Sequence, residues 1–487
     1  MTAVIDLANL EKYKENNRIE AKAASGGLPR SIWETYSSFA NTFGGIILLG
    51  VEEHPDSSLY PSGLNDPDRI IKEFWDIANN PNKVSINILT DKNVSVEEID
   101  GKNIVVINVP RAERHDKPIY IDNNPLSGTY RRNGEGDYKC SREEVQAMLR
   151  DAAPQTQDRI VIESMGLDVF DYESIHHYRQ RMKNYRPGHV WEELDDIDFL
   201  YRLGAVGRDS DNEMHPTAAG LLMFGREYEI VREFPDYFLD YQEQFDKDNR
   251  WTDRIISSSG DWSGNIYDFY FRVYNKIIKN VKVPFKMENG SRIEDTPTHQ
   301  ALREAIANLL INADYYGKRG LVIIQTPNEI KLSNPGAFRI EIEAAKAGGV
   351  SEPRNSVLMK MFNLINIGER AGSGIPNIYS VWERQGWNEP QIIEEFEPER
   401  ITLILSFKKI GDKKSAIKIG DKKSAINQKK KQKIIDYLKG HDIARTSELA
   451  YMLGLQPSRT RDYITELIKE GIVVSEGENK NKVYKLK

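Results

Sequence analysis

Acidic side chains near the start of the chain have the types and spacing to hold a divalent metal ion. Glu15 and Glu20 are followed by Lys22, and Glu52 and Glu53 come directly after an apolar run. Carboxylate oxygens are the ligands that magnesium and manganese prefer, and a metal held by them can activate water against a phosphodiester. The chain has 74 Asp and Glu residues, however, so glutamates scattered over a solvated surface are the simpler interpretation.

A second polar set lies in the middle of the chain. Glu304, Asn308 and Asn312 are spaced four apart, which places them on one face of a predicted helix. Such a face could present a general base and an amide to a metal-bound phosphate. Two glycine turns follow, Asn334-Pro-Gly-Ala-Phe338 and Gly372-Ser-Gly374, where the backbone could approach a ligand closely. A polar helix face in contact with solvent is the alternative.

The last sixty residues have the pattern of a helix-turn-helix followed by a β-hairpin. Amphipathic segments at 432–439, 447–453 and 458–470 predict three helices, and the strands around residues 476–482 predict a hairpin, or wing. In this arrangement a helix enters the major groove of DNA while other cations contact phosphates. A module that contacts only proteins is the alternative. The predicted nucleic-acid contacts are Arg459, Arg461, Tyr463, Lys480 and Lys482.

Charge is unevenly distributed along the chain, whose formal net charge is -7. Residues 408–487 contain twenty Lys and Arg against ten Asp and Glu, so this stretch carries +10 and the remainder -17. A local cationic excess favours binding to a polyanion, because phosphate affinity depends on the local field and on released counterions. We therefore expect DNA as a partner, with RNA as a second candidate. The alternative is that the basic stretch only keeps the protein in solution.

Composition narrows the class of protein. A single cysteine, Cys140, excludes an internal disulfide framework and a zinc site built on paired thiolates. The first twenty residues lack a basic start followed by an apolar core, and no stretch approaches the ~18 apolar residues of a membrane span. We expect a cytoplasmic protein without membrane contact. Most oligomers of soluble proteins are symmetric assemblies of one chain, so a homo-oligomer is also expected.

The elements that must position these residues can be read from apolar periodicity. A helix at 31–41, stopped by Gly44-Gly45, precedes a buried strand at 46–51, which places Glu52 at a strand exit. Further strands are predicted at 94–99, 104–109, 128–132, 321–325, 329–333 and 400–408, with a helix at 141–149. Apolar residues at helical spacing between Ile266 and Ile277 predict a packed helix, and an aromatic base-stacking platform is the alternative.

These elements predict a multi-domain α+β protein. A length of 487 residues suggests about three domains of roughly 150 residues. The direct repeat of Ile-Gly-Asp-Lys-Lys-Ser-Ala-Ile at 410–417 and 419–426 reads as a flexible basic linker. The predicted parts are an α+β domain (1–153), a mixed helical connecting region (154–290), an α/β sandwich (291–409), the linker (410–427) and a winged helix (428–487).

The first 150 residues resemble the Schlafen core, also called the divergent AlbA-like domain. The resemblance rests on Glu15 to Lys22, Phe39-Ala-Asn-Thr-Phe-Gly-Gly-Ile-Ile-Leu-Leu-Gly-Val-Glu-Glu53, Thr129-Tyr-Arg-Arg-Asn-Gly-Glu-Gly136 and Cys140-Ser-Arg-Glu-Glu144. It implies a nucleic-acid-binding domain with Arg131 and Arg132 as contacts. In the RNA-cleaving members it implies a catalytic, metal-binding carboxylate triad, which falls here on Glu15, Glu20 and Glu52 beside Lys22. Glu52 stands where aspartate is usual.

Residues 296–408 are similar to the gyrase, chaperone and histidine-kinase ATPase fold, in the degenerate form found behind Schlafen-type domains in bacterial regulators. The resemblance implies ATP as a cofactor, Glu304 as the water-activating base and Asn308 as a magnesium ligand. It also implies a nucleotide site, to which we assign Asn308, Asn312, Asn334, Gly336, Gly372 and Gly374. Asn334-Pro335 stands where the fold usually has the aspartate that reads adenine.

Three functions follow from these features. The leading hypothesis is a bacterial-type transcriptional regulator that binds DNA through the winged helix and senses ATP, with weak ATPase activity as an option. The first rival is a magnesium- or manganese-dependent endonuclease that acts on RNA or DNA, with phage defence as a candidate role. The second rival is an ATP-switched scaffold without nucleic-acid chemistry.

Overall fold

A computed structural model describes residues 6–409, except 247–249, 282–285, 289–290, 294–295 and 369–371. Beyond residue 409 it describes residues 431, 433–435, 437–439, 441, 443–453, 460, 463–465, 467–468, 472–476 and 483–486. The chain divides into two units, Met1–Phe407 and Lys408–Lys487. Within these described ranges, no helix is both long and apolar enough to cross a membrane. The predicted linker at 410–427 lies outside the described residues.

Residues 6–153, here called the N-terminal module, form a four-stranded mixed sheet with helices around it. The strand order is β1-β2-β6-β5, in which β1 and β2 are parallel and the other pairs antiparallel. Two separate hairpins, β3–β4 and β7–β8, flank this sheet. Its elements are β1 (Ile19–Lys22), α1 (Ile32–Asn41), β2 (Gly45–Leu49), β3 (Val51–Glu53), β4 (Leu59–Pro61), α2 (Pro67–Ala78), β5 (Val94–Ile99), β6 (Lys102–Val109), α3 (Pro125–Gly128), β7 (Tyr130–Asn133), β8 (Gly136–Lys139) and α4 (Arg142–Ala152).

The core of this module explains the glycine pair of the sequence. Helix α1 packs Tyr36 and Phe39 against β2, and both aromatic side chains are fully buried. A Cβ atom on Gly45 would lie 2.7 Å from the Phe39 ring, and Gly44 adopts a φ of +72° where the chain turns into β2. Two glycines at this point therefore let β2 begin directly under the helix.

Residues 154–407, here called the central module, are built on a six-stranded sheet with the order β12-β11-β15-β16-β18-β17. Only β11 and β15 are parallel neighbours. Its elements are α5 (Tyr172–Tyr185), α6 (Asp196–Leu203), β9 (Val206–Arg208), β10 (Met214–Pro216), α7 (Ala218–Phe224), α8 (Glu227–Glu233), β11 (Leu239–Glu243), β12 (Asp253–Ile256), α9 (Ile266–Asn280), β13 (Lys286–Glu288), β14 (Ser291–Ile293), α10 (Pro297–Ile311), β15 (Leu321–Gln325), β16 (Glu329–Pro335), α11 (Ile342–Ala347), α12 (Ser356–Leu364), α13 (Gly374–Arg384), β17 (Gln391–Phe396) and β18 (Glu399–Ser406).

One hydrophobic core runs through the whole central module, from Ile162 to Leu405. Helices α9, α10 and α13 pack on the sheet within this core, and the packed-helix prediction for Ile266 to Ile277 is confirmed because those apolar side chains are buried. The division that the sequence suggested near residue 290 is not seen. Strands β11 and β12, from the predicted connecting region, complete the sheet of the predicted α/β sandwich, and the chain on both sides of residue 290 shares this core.

The C-terminal unit contains a helix, α14 (Thr446–Leu453), and an antiparallel hairpin of β19 (Val473–Glu476) and β20 (Val483–Leu486). The described residues among 431–439 and 460–468 are helical, in agreement with the predicted helices there. Ile434, Leu438, Leu449, Ile464 and Leu467 form a small core of their own. The predicted hairpin is confirmed.

Ion pairs, one of them buried, join the N-terminal and central modules. The Arg111 guanidinium donates to both carboxylate oxygens of Glu394, at 2.6 and 2.9 Å, and to the carbonyl of Phe338 at 2.8 Å. Arg114 donates to Glu352 at 2.7 Å. The Arg111 and Glu394 side chains are only 8% and 1% exposed, so removing either partner would leave a buried charge without compensation.

Lys117 lies on the wall of a cavity between these modules. Its ammonium donates to the carbonyl of Asn41 at 2.8 Å. Burial lowers the pKa of Lys117 to about 7, and the positive charge of Arg111 adds to this effect. The folded protein therefore releases this proton near neutral pH, whereas the unfolded chain retains it up to the ordinary lysine pKa of 10.5.

Stability should therefore rise with pH above 7 through Lys117, since the unfolded state binds the extra proton there. Between pH 7 and pH 9 we expect this group to add about 2 kcal/mol to the free energy of unfolding. Urea unfolding of the wild type and of Lys117→Met at both pH values measures the difference. Lys72→Met, at an exposed lysine of α2, is the control and should follow the wild type. Equal pH dependence in all three proteins would contradict the assignment.

Candidate functional site

Helix α10 carries the polar residues predicted to bind a nucleotide. Its start is fixed by Thr296, whose side chain accepts from the backbone NH of His299, and by Pro297 in the first turn. The amide of Asn308 donates to Glu304 Oε1 at 3.2 Å, and the amide of Asn312 donates to the carbonyl of Asn308 at 3.0 Å. The spacing of four therefore places all three on one helix face, as predicted.

This polar face lines a cavity rather than the outer surface. Strand β16 contributes Asn334, and the start of α13 contributes Gly372 and Gly374. Six of the seven residues assigned to catalysis or nucleotide binding in this part of the chain are thus brought together from three segments. The apolar part of the lining includes Leu309, Leu332, Ile375, Ile378, Ile392, Ile401 and Leu403.

Gly372 and Gly374 are required at their positions for two different structural reasons. A Cβ atom on Gly374 would lie 2.2 Å from Glu304 Oε1, so the missing side chain lets this carboxylate approach the N-terminus of α13. The positive end of the helix dipole favours a negative charge there. Gly372 has a φ of +65°, and a Cβ atom would lie 2.5 Å from the carbonyl of Val350. Both positions thus exclude larger residues.

Gly336 differs from its predicted role. It lies outside the lining of this cavity and borders a neighbouring groove instead. Its φ is +103°, and a Cβ atom would lie 2.8 Å from the Arg354 guanidinium. The glycine therefore makes room for an arginine, and the first glycine turn acts on the cavity through that side chain.

Arg339 and Arg354 are cavity residues that the sequence analysis missed. Arg354 donates to the carbonyl of Asn312 at 3.1 Å and to that of Ala337 at 2.8 Å, which ties α10 to the first glycine turn. Arg339 donates to the carbonyl of Pro353 at 3.0 Å. No spacing or composition signal distinguishes these two from the other arginines of the chain, because their position depends on how distant segments pack.

The cavity is lined by the residue types that a nucleotide site requires. Apolar side chains supply a surface for a base, and the two arginines supply the paired donors that phosphate oxygens require. Glu304 and Asn308 supply an adjacent acid and amide, the donor types that can hold a hydrated magnesium ion beside phosphate.

The carboxylates that were predicted to bind a metal ion in the N-terminal module are each hydrogen-bonded to other groups of the protein. Glu20 accepts from Arg132 at 2.7 Å and from Lys22 at 2.8 Å. Glu52 accepts from the Tyr60 hydroxyl at 2.6 Å, and Glu15 accepts from the backbone NH of Ala21 at 2.9 Å. Burial raises the pKa of Glu15, and the charges of Glu20 and Glu53 add to this shift.

These carboxylates do not fit a divalent cation as they stand. Cations of the protein itself already contact both oxygens of Glu20. Throughout the ranges that the structure describes, no three His, Cys, Asp or Glu side chains lie close enough together to hold a metal ion. Glu20 and Lys22 do share one face of β1, as the alternation of a strand requires, but their contact is an ion pair.

Arg132 and Arg131 were predicted to contact nucleic acid and are instead bound to carboxylates. The Arg132 guanidinium has no exposed surface and donates to Glu20, to Asp137 at 2.9 Å and to the carbonyl of Asn16 at 3.0 Å. Arg131 pairs with Glu144 and Glu397, both at 2.9 Å. Burial thus removes Arg132 from any surface that a nucleic acid could reach.

In the C-terminal unit, Tyr463 is 4% exposed and belongs to the core. This burial disagrees with its predicted contact to DNA, since its ring packs with Ile464 and Leu467 instead. The other predicted contacts, Arg459, Arg461, Lys480 and Lys482, lie outside the described residues.

Models of known protein families match part of the N-terminal module and part of the central module. A family model described as Schlafen, AlbA_2 matches residues 15–141, and one described as "Putative ATP-dependent DNA helicase recG C-terminal" matches residues 321–405. The chain contains a Schlafen AlbA_2 domain and a RecG-type ATPase-like domain. A domain of unknown function, DUF8451, matches residues 146–240 between them. Helix α10 lies outside the ATPase-like match and packs against its sheet.

Two solved structures are similar to this chain, one over nearly its whole length and one over about a quarter of it. The DIP2311 protein from Corynebacterium diphtheriae is 14% identical, with 96% of this chain and 94% of that chain covered and a TM-score of 0.40. The second is the N-terminal domain of the "Putative ATP-dependent DNA Helicase RecG-related Protein" from Nitrosomonas europaea. It is 31% identical, with 27% of this chain and 88% of that chain covered and a TM-score of 0.22. No curated protein matches the chain.

The burial of Arg132 predicts a structural role within the Schlafen domain. Arg132→Ala would leave Glu20 and Asp137 without their buried partner, and we expect the free energy of unfolding to fall by about 3 kcal/mol. Thermal and urea denaturation measure this loss. The exposed Arg30 offers a control, since Arg30→Ala should change stability little. Wild-type stability of Arg132→Ala together with weakened nucleic-acid binding would support the original contact role instead.

Proposed function

We propose that this chain is a nucleic-acid-binding protein whose central module binds an adenine nucleotide. The observation that supports the nucleotide site is the meeting of Glu304, Asn308, Asn312, Asn334, Gly372 and Gly374 around one cavity. The similarity of residues 321–405 to the RecG C-terminal family supports the same assignment.

Different side chains of the cavity would contact different parts of the nucleotide. Leu332, Ile378 and Leu403 would supply the apolar surface for the base, and Asn308 would help to hold a magnesium ion beside the phosphates. Bound ATP supplies a phosphate chain that water can attack. Glu304 would accept a proton from the attacking water, and the amide of Asn308 donates a hydrogen bond to its carboxylate. Weak hydrolysis is therefore part of the proposal.

The nucleic-acid proposal rests on the Schlafen similarity and on charge. The Schlafen AlbA_2 match supports a nucleic-acid surface in the N-terminal module. The +10 charge of residues 408–487, together with helical segments and a hairpin, supports a winged helix that binds DNA. Two nucleic-acid sites on one chain raise avidity through effective concentration, which suits a cytoplasmic transcriptional regulator.

The endonuclease alternative has less support from the geometry. Arg132 and Lys22 neutralise Glu20, and Glu52 is turned toward Tyr60. A metal-dependent step would need these contacts to be exchanged for metal bonds. The ATP-switched scaffold shares the nucleotide site with our proposal and differs in lacking DNA affinity, so the two experiments below separate them.

The nucleotide site predicts that Asn308→Ala weakens binding of magnesium-ATP roughly tenfold or more, since a contact to a charged group is lost. Isothermal titration calorimetry of the full-length chain measures the dissociation constant. Glu304→Gln should still bind ATP but lose any hydrolysis. The control is Asn328→Ala, at an exposed loop between β15 and β16, which should bind like the wild type. If wild-type protein fails to bind ATP, the nucleotide proposal is wrong.

The winged-helix proposal predicts salt-dependent binding to duplex DNA. With about four phosphate contacts, raising salt from 50 to 200 mM should weaken binding roughly a hundredfold. Replacing Arg459, Arg461, Lys480 and Lys482 by alanine should remove most of that dependence, measured by fluorescence anisotropy. A control with the exposed Arg232 and Lys346 replaced should retain it. Unchanged DNA affinity in the fourfold variant, or no DNA binding by the wild type, would overturn this proposal.

A further inference from the structure

A single carboxylate of the N-terminal module pairs with both arginines of the nucleotide cavity. Asp151 lies in the last turn of α4, the helix that directly follows the Schlafen domain. Its Oδ1 accepts from Arg339 at 3.2 Å and also from Arg354. The three side chains are 15%, 6% and 7% exposed. The two arginines therefore share one largely buried anion.

The backbone around Asp151 is held by the Schlafen domain. Arg114 donates to the carbonyls of Asp151 and Ala153, at 2.7 and 3.2 Å. These are carbonyls at the end of α4, which attract a cation. Asp151 is thus fixed to the N-terminal module through its backbone and to the nucleotide cavity through its side chain.

The same arginines are built into the nucleotide cavity. Both line it, and Arg354 contacts the backbone of Asn312 at the end of the α10 polar face. A guanidinium presents its donors in a fork that suits carboxylate and phosphate oxygens equally. Asp151 borders the adjoining cavities rather than the nucleotide cavity, and it takes one donor group of each guanidinium that a phosphate would otherwise draw on.

The carboxylate of Asp151 carries less negative charge than a phosphate group, so a phosphate can compete with it for Arg339 and Arg354. Burial would raise the pKa of Asp151, but Arg354 and Arg339 hold it below its ordinary value, so Asp151 is ionised at neutral pH. One carboxylate contacts both guanidiniums, and the negative charge of Asp314 also acts on Arg354. The nearby Glu399 adds only part of a second charge, because burial raises its pKa to about 7. Phosphate groups carry more charge and more acceptor oxygens than one carboxylate.

We propose that Arg339 and Arg354 form the phosphate-binding pair of the nucleotide site, and that Asp151 is an internal competitor that occupies the pair when no phosphate is bound. The inference rests on the proposed nucleotide function. A phosphate chain displaces Asp151 and loosens the end of α4, so the nucleotide site and the Schlafen domain are coupled through one carboxylate. Arg111–Glu394 and Arg114–Glu352 keep the modules joined.

The test compares ATP and adenosine as probes of the full-length chain. Asp151→Asn keeps the size of the side chain and removes the competing charge, so ATP should bind roughly tenfold more tightly than to the wild type. Adenosine, which has no phosphate, should bind both proteins equally. Glu143→Gln is the matched control: it removes the exposed pair of Glu143 with Lys318, which also links α4 to the central module, and should leave ATP affinity unchanged.

A second measurement needs no variant. In hydrogen–deuterium exchange of the wild type, ATP should speed exchange of the backbone amides at the end of α4, and adenosine should not. Equal ATP affinity of wild type and Asp151→Asn, or slower exchange with ATP, would overturn the competition while the nucleotide site stands. If neither protein binds ATP, the nucleotide function and the inference fail together.

Discussion

A guanidinium that leaves water must be surrounded by acceptors, and this requirement organises the first 407 residues. Arg111, Arg132 and Arg354 are almost completely buried, and each is held by a carboxylate together with backbone carbonyls. Burying such a charge is costly unless it is paired and hydrogen-bonded. Two of these arginines pair with carboxylates of the other module. The buried charges are therefore neutralised only when the two modules pack together.

The same requirement gives several residues roles that their types alone do not reveal. Arg132 fastens β7 to β1 by holding Glu20 and Asp137, so the best acidic candidate for a metal ligand is already neutralised. Arg354 links α10, the first glycine turn and α4. Charged residues that resemble catalytic or nucleic-acid-binding groups in the sequence thus serve as the internal framework on which the nucleotide cavity is built.

The central module shows how a site can depend on parts of the chain that family similarity does not reach. The ATPase-like match begins at residue 321, yet Glu304 and Asn308 come from α10 before it. Strands β11 and β12 extend the sheet from still earlier in the chain. The shared core from Ile162 to Leu405 fixes α10 against β16 and α13, so the cavity belongs to the whole module.

The local sequence pattern was sufficient to predict many of the helices and strands of this chain. Apolar periodicity predicted α1, β5, β15 and β16, and the spacing of four placed Glu304, Asn308 and Asn312 on one face, because these features depend only on residues close in sequence. The tertiary structure alone decided that residue 290 divides no core, that Arg132 is buried and that Asp151 meets Arg339 and Arg354. Ion pairs between residues about two hundred positions apart leave no periodic trace, since only packing brings their charges together.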